Sequence, residues 1–341
     1  MQTKSLLEPR VAFKPFEYPF LAEQAQLIRQ TYWIHDEVSF DRDKHEFLTV
    51  LNDTERYIIG SILKTFAQTE THVADEFWSR LFRYMPKPEM ALLCSCYTDN
   101  EWRHAEAYDK LNDVLGLTDY ESFLEDEVLR ERMENLTKIR ENAGGDFNVK
   151  DLMLTLAVFG GFTEYVNLFS QFAIMMSFNG NGRNLLTNIS EIIQWSALDE
   201  QHHAKTAMMI FNTLKEENPE LWDDELKSKI YTAANITYDL EEAMINQIFA
   251  KGELPNLTKA DLLNFMKHRI NTALNFMGLK ACKIVNEKAL ENLAWFEDGL
   301  NAKGYTDFFA KRVTDYTKNV VVYDKDTVKV DPDFLDKISK L

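Results

Sequence analysis

The chain has few of the residues that interrupt regular structure, with 12 Gly and 8 Pro among 341 residues. It is also short of positive charge, because 38 Lys and Arg stand against 55 Asp and Glu, a formal net charge of −17. This acidic excess argues against nucleic acid or an anionic membrane as a partner. We find no apolar run of the ~18 residues that span a bilayer, and the N-terminus lacks the apolar core of a signal peptide. We therefore expect a cytoplasmic protein.

Cysteine is scarce as well, with only Cys94, Cys96 and Cys282. Cys94 and Cys96 are two residues apart, so on a helix they point to different faces. The three positions form no recognisable disulfide or metal-binding framework. We expect all three to be reduced packing residues, as is typical of cytosolic proteins.

The sequence has strong helical periodicity, and a glutamate interrupts the apolar pattern in four of its segments. In four segments apolar residues recur at steps of three or four, the pattern of a core-facing helix side. Each stripe carries one glutamate near its middle, and two stripes add a histidine three residues later. These residues are Glu70, Glu101, His104, Glu164, Glu200 and His203. A buried unpaired carboxylate is costly, so something must compensate all four.

Two divalent metal ions would cancel the charge of four buried glutamates. One glutamate from each of two helices, with Glu-x-x-His from each of two others, is the arrangement of ferritin-like di-iron and di-manganese bundles. Buried polar residues that satisfy one another are the simpler explanation, but four independent mid-stripe carboxylates make it improbable. The sequence thus predicts an all-α protein, a ferritin-like four-helix di-metal bundle extended by additional helices.

The rest of the chain is arranged around this bundle. Residues 1–18 lack periodicity and predict an extended arm, and residues 19–316 form the predicted di-metal helical domain. Two long amphipathic helices are expected at about 219–251 and 259–302. Residues 317–341 have no partner strand in the sequence, so we expect a mobile or partner-binding tail.

Three motifs resemble the small, radical-generating subunit of class I ribonucleotide reductase. They are Glu101-x-x-His104-x-x-x-Tyr108, Asp199-Glu200-x-x-His203 and Lys311-Arg312-Val313-x-x-Tyr316. The resemblance spans about Trp33 to Tyr316. It implies that the six glutamates and histidines above are metal ligands. In that family the subunit oxidises its metal pair and stores an oxidising equivalent. It then passes that equivalent to a cysteine of a separate large subunit, which reduces ribonucleotides to deoxyribonucleotides.

The resemblance also implies roles for four further residues. Tyr108 matches the radical tyrosine, and Trp33 is similar to the tryptophan that begins the outward path. Asp199 is similar to the aspartate that links a metal-bound histidine to that tryptophan. Tyr316 matches the relay tyrosine near the tail, and the last residues would dock on the large subunit. We expect a homodimer.

One position departs from the family's usual pattern. Most members have aspartate as the first ligand, whereas this chain has Glu70, and Asp75 lies off the stripe. Glutamate occurs there in subgroups that use manganese, with or without iron, and some of these do not oxidise a tyrosine. The metal pair therefore stays open among Fe/Fe, Mn/Fe and Mn/Mn. We favour storage on manganese-containing metals, with Tyr108 as a neighbour.

Other classes of bundle protein share these ligands. The main alternative is a di-iron oxygenase or desaturase that acts directly on its substrate. Such an enzyme needs an open channel to the metals and has no use for Trp33 or Tyr316. A ferritin-like storage protein gains nothing from the helices beyond Leu214.

Overall fold

Helices form the whole of the regular structure that we describe. The computed structural model describes residues 5–118, 127, 148–180 and 182–300. Within those ranges there is one isolated β-bridge, between Leu254 and Leu257, and no β-strand. The predicted all-α class is confirmed.

Eleven α-helices in the described ranges are numbered here in chain order. They are α1 Pro19–Gln30, α2 Asp41–Thr49, α3 Asp53–Val73, α4 Ser79–Tyr84, α5 Pro88–Leu115, α6 Val149–Leu156, α7 Phe169–Ser177, α8 Thr187–Glu217, α9 Asp224–Ile248, α10 Lys259–Met277 and α11 Glu287–Leu290. Residues 294–300 are also helical. Two π-helical segments, Ala74–Trp78 and Ala157–Asn167, connect α3 to α4 and α6 to α7.

The ends of the central helices follow local sequence signals. Asn52 and Glu55 form a reciprocal capping box at the start of α3, with N···O distances of 3.0 Å in both directions. Pro88 occupies the first position of α5, where a backbone N–H has no helical partner to lose. Gly116 ends α5 with φ of 72°, a left-handed conformation that glycine adopts without strain.

Three of the four predicted stripes are buried along their full length, on α3, α5 and α8. The fourth segment is buried around its whole circumference, since residues 156–178 are all buried except Tyr165. Val149–Ser177 is long and apolar enough to span a bilayer by length and composition, which corrects the expectation that no such run is present. Because 83% of its apolar window is buried inside the protein, it has the character of a central bundle helix.

The N-terminal segment from residue 5 to residue 18 is fixed to the bundle. The backbone N–H of Leu6 donates to Glu217 on α8 (2.9 Å). Glu89 on α5 accepts from the backbone N–H groups of Glu17 and Tyr18, at 2.8 and 3.1 Å. Residues 5–18 therefore have little regular structure, and they are held by one buried and one half-buried carboxylate.

The prediction of one helix over 259–302 was wrong. Helix α10 ends at Met277, and Gly278 follows with φ of 85°. The Asn271 side chain accepts from the backbone N–H groups of Cys282 and Lys283, both at 3.0 Å, which folds the next loop back onto α10. Cys282 is exposed in this loop, so its predicted packing role was also wrong, whereas Cys94 and Cys96 are buried.

Helix α9 is shorter than the predicted 219–251 segment, because a short 3₁₀ turn at Pro219–Leu221 precedes it. Tyr316 and the predicted tail 317–341 lie outside the described residues. Their roles stay predictions.

Candidate metal centre

Helices α3, α5 and α8 and the π-helical segment Ala157–Asn167 bring the six predicted ligands together. One group of mutually close ligand atoms comes from Glu70, Glu101, His104 and Glu200, and a second from Glu101, Glu164, Glu200 and His203. Within each group the ligand atoms lie within 4.8 Å of one another. Glu101 and Glu200 belong to both groups. The cluster therefore has two adjoining positions, each of which could hold one metal ion.

The donor atoms of this cluster lack hydrogen-bond partners among the described residues. They are both carboxylate oxygens of Glu70, Glu101 and Glu200, Oε2 of Glu164, and Nδ1 of His104 and His203. All six side chains are at most 1% exposed. Buried polar atoms are almost always paired, and an orphaned one costs about 1–3 kcal/mol or more. This concentration of unpaired ligand atoms in one cluster fits a site for cations.

The distances between these ligand atoms also indicate a site for cations. Nδ1 of His104 lies 2.9 Å from Glu200 Oε1, and Nδ1 of His203 lies 2.7 Å from Glu101 Oε1. At such separations the lone pairs of a neutral imidazole and a carboxylate repel each other, unless a proton or a cation lies between them. Carboxylate and imidazole ligands suit iron and manganese alike.

Protons are the alternative to cations in this cluster. Burial, followed by the Glu200 carboxylate, raises the pKa of Glu70 well above its usual value. Burial is the largest single influence and lowers the pKa of His203, but the charge of Glu101 and the contacts with the Glu101, Glu164 and Glu200 carboxylates together raise that pKa well above the usual value. The metal-free cluster therefore retains protons, which binding of two divalent ions would release.

Each histidine turns its other nitrogen toward a polar residue of the opposite helix. Nε2 of His104 lies 3.2 Å from Oδ2 of Asp199, and Nε2 of His203 lies 2.8 Å from Oδ1 of Asn100. Such outer partners fix the orientation of metal-bound histidines. Asp199 was predicted, whereas Asn100 was missed, although each directly precedes the glutamate of a Glu-x-x-His motif.

Asp199 also reaches the predicted tryptophan. Its Oδ2 accepts a hydrogen bond from Trp33 Nε1 at 2.8 Å. The Trp33 ring stacks on His104, with centroids 5.5 Å apart and planes 16° apart. Burial on its own raises the pKa of Asp199, but the hydrogen bond from His104 helps to lower it below the usual value, so this residue stays charged. The structure thus joins Trp33 to the cluster by one hydrogen-bonded carboxylate.

Tyr108 lies fully buried on α5, one turn beyond His104. Its hydroxyl pairs with Ser196 Oγ at 2.5 Å, and its ring lies 4.7 Å from that of Phe66. Among the described residues its hydrogen-bond partner is therefore a serine and not one of the six candidate ligands. Burial, then the charge of Glu70, raises the pKa of Tyr108 well above its usual value, which keeps the phenol protonated.

Two more residues that the sequence did not single out contact the cluster. Trp78 Nε1 donates to Glu164 Oε1 at 2.7 Å, and the Tyr97 ring packs on His203 with centroids 4.3 Å apart. Asp75 is exposed and lies near Arg80, at 3.5 Å, so it takes no part in the cluster. Asp75 therefore does not replace Glu70, and the candidate ligand contributed by α3 is a glutamate.

Metal loading should stabilise the protein, because two cations remove the repulsion among four buried carboxylates. Free Mn²⁺ at about 100 times its dissociation constant would add about 2.7 kcal/mol per site to the free energy of unfolding. Thermal unfolding after chelation and after reloading measures the difference. Equal melting temperatures in the two states would contradict the metal assignment.

The chain is similar to known small subunits of ribonucleotide reductase. The family model described as "Ribonucleotide reductase, small chain" matches residues 10–282. The chain is 29% identical over 328 residues to the probable ribonucleoside-diphosphate reductase small subunit 048L of Invertebrate iridescent virus 3, covering 92% of this chain and 86% of that protein. It is 23% identical over 295 residues to the ribonucleoside-diphosphate reductase subunit beta of Chlamydia pneumoniae, covering 83% of each.

Solved structures share the fold at lower identity. A putative class I ribonucleotide reductase from Bacillus halodurans has a TM-score of 0.75 at 22% identity, covering 82% of this chain and 99% of that one. The dimanganese(II)-NrdF of Streptococcus sanguinis has a TM-score of 0.71 at 17% identity, covering 84% and 99%. These likenesses bear on the fold alone.

Proposed function

The chain belongs to the ribonucleotide reductase small-chain family, and from this premise we propose that its metal centre generates and stores an oxidising equivalent for the large subunit. The observation that carries the proposal is the connected path from the six-residue cluster through Asp199 to Trp33. Two iron or manganese ions, bound by the six residues, would supply the redox chemistry with an oxygen species. A bundle enzyme acting directly on its own substrate has no use for this path.

The protein's own residues have separable tasks in this proposal. Glu101 and Glu200, which belong to both groups, would help to hold each of the two ions. Burial of all six candidate ligands excludes water. Loss of an electron from Trp33 makes its Nε1–H strongly acidic, and Asp199 Oδ2, at 2.8 Å, is within reach to hold that proton. By accepting this proton, Asp199 would leave the oxidised, buried indole neutral instead of positively charged.

We assign storage of the oxidising equivalent to the metals, with manganese involved. Glu70 replaces the aspartate that is common at this position, and the Tyr108 hydroxyl pairs with Ser196. A phenol that loses an electron must also lose its proton, and a serine hydroxyl is a poor proton acceptor. Both features favour a Tyr108 that stays reduced beside the metals.

Tyr108→Phe should therefore keep more than half of the nucleotide reduction of the wild type. The variant loses one buried hydrogen bond, which costs about 0.5–1.5 kcal/mol of stability. Turnover with the large subunit at optimal metal loading is the measurement, and Tyr97→Phe, equally buried on α5, is the control for hydroxyl loss. Complete loss of activity, together with a sharp organic radical signal in the wild type, would move storage to Tyr108.

Tyr316→Phe should abolish reduction, by ~100-fold or more, while the metals remain bound. Phenylalanine keeps the shape of the relay residue but has no O–H to lose. Tyr323→Phe is the matched control in the same region of the sequence. Retained turnover in the first variant and lost turnover in the second would place the relay at Tyr323.

We further propose a homodimer that docks on the large subunit through residues 317–341 and binds neither nucleic acid nor a membrane. Removal of those residues should weaken association with the large subunit and leave metal content unchanged.

The function is tested with the purified chain, its large subunit and a ribonucleoside diphosphate. Metal analysis and electron paramagnetic resonance after oxygen exposure distinguish a tyrosyl radical, manganese–iron and dimanganese states in one sample. Deoxyribonucleotide formation that requires both subunits supports the proposal. Oxidation of a small substrate by this chain alone would favour the oxygenase alternative.

A further inference from the structure

We infer that Asn100 is a positioning residue that fixes the ring orientation and tautomer of His203, and so sets the affinity of the metal position that His203 serves. This inference deepens the proposed function and rests on it, because it concerns one of the two metal positions. Asn100 is fully buried on α5, directly before Glu101.

The orientation of the Asn100 amide follows from its neighbours. Asp199 is a carboxylate and can only accept, so the amide nitrogen of Asn100 must face it, at 2.9 Å from Oδ2. The amide oxygen then faces Nε2 of His203, at 2.8 Å. An oxygen acceptor there requires His203 to carry a proton on Nε2. The lone pair of a neutral His203 is thereby placed on Nδ1, the atom that faces Glu101 and Glu200.

The two Glu-x-x-His helices support each other reciprocally. Asp199, on α8, receives the outer nitrogen of His104, and Asn100, on α5, receives the outer nitrogen of His203. The two supports are hydrogen-bonded to one another. A single carboxylate therefore orders both histidines, one directly and one through the Asn100 amide.

The two supports differ in one respect that makes a selective test possible. Asp199 retains Trp33 and His104 as partners when Asn100 is removed. His203 Nε2, in contrast, pairs with the Asn100 amide oxygen, and without it the imidazole would turn toward another acceptor. Loss of the Asn100 amide should thus weaken the His203 position much more than the His104 position.

The experiment is a Mn²⁺ titration of the full-length metal-free chain, with free Mn²⁺ followed by electron paramagnetic resonance. Asn100→Leu should keep one ion at the wild-type affinity and weaken the other by about 10–100-fold, the usual effect of losing a histidine's outer partner. The isotherm should resemble that of His203→Ala more than that of His104→Ala. Asn112→Leu is the control, since Asn112 is equally buried on the same helix and bonds to the Leu63 carbonyl.

Rescue separates positioning from a general packing effect. Asn100→Asp, protonated on the oxygen that faces Asp199, donates an O–H there and offers its other oxygen to His203 Nε2–H, so it should recover most of the affinity that the leucine variant loses. A leucine variant that binds both ions as the wild type does would overturn the inference. The same holds if both ions weaken equally, if Asn112→Leu shows the same loss, or if the aspartate variant is no better than leucine.

The result also distinguishes this inference from the proposed function. If the wild type binds two Mn²⁺ ions and Asn100→Leu does so equally well, only the role of Asn100 falls. If the wild type itself binds fewer than two ions, the proposed di-metal function fails and the inference fails with it.

Discussion

Replacing Glu200 with alanine should leave less than one metal ion bound per chain and lower nucleotide reduction by ~100-fold or more. Glu200 belongs to both groups of candidate ligand atoms, so one substitution removes a donor from each position. Three carboxylates would then face two divalent ions, and the excess positive charge would be buried away from bulk solvent. The structure therefore predicts the loss of both ions rather than of one.

His203→Ala offers a contrast, because His203 belongs to only one of the two groups. This variant should lose one ion and keep part of the other's occupancy. Glu241→Ala is the control for removing a buried glutamate elsewhere, since Glu241 is fully buried on α9 and accepts from Ser170 at 3.1 Å. It should lower the free energy of unfolding but not the metal content. Full metal occupancy in Glu200→Ala would remove Glu200 from the ligand set.

The six candidate ligands could be found from sequence because their signal is local. A helix brings residues three or four apart onto one face, so a glutamate within an apolar stripe is visible without knowledge of the fold. The histidines three residues after Glu101 and Glu200 strengthened the same signal. The stripes on α3, α5 and α8 are buried as that periodicity predicts.

The supporting residues could not be found in the same way, because each acts on another helix. Asn100 serves a histidine 103 positions away, and Ser196 pairs with a tyrosine 88 positions away. Trp78 reaches Glu164 from the π-helical segment that follows α3. Spacing along the chain carries no information about such pairs. A polar residue directly before each Glu-x-x-His motif was the one available hint.

Local backbone geometry was a second limit. Glu164 lies in an eleven-residue π-helical segment, where the period of the backbone departs from that of an α-helix. Its stripe was recognised because the whole segment is apolar, so almost any period fits it. The break after Met277 was missed because the Asn271 side chain, which accepts from the following loop, looks like an ordinary polar helix residue in the sequence.

Trp33→Phe should lower nucleotide reduction by ~100-fold or more with both metals still bound. Phenylalanine retains an aromatic ring to stack on His104 but has no N–H to donate to Asp199. Loss of a hydrogen bond to a charged group costs about 1.5–3 kcal/mol of stability, which leaves a large helical protein folded. Metal content, unfolding and turnover with the large subunit are measured on the same preparation.

Trp195→Phe is the matched control, because its ring lies 5.6 Å from that of Trp33 and the two are almost equally buried. This variant changes the packing around Trp33 and leaves the Trp33–Asp199 hydrogen bond in place, so its turnover should stay within a few-fold of the wild type. An equal loss in both variants would attribute the effect to packing. Full turnover in Trp33→Phe would remove Trp33 from the path. Lost metal would make it a support for His104 instead, and only lost turnover with intact metals identifies it as the residue through which the oxidising equivalent leaves.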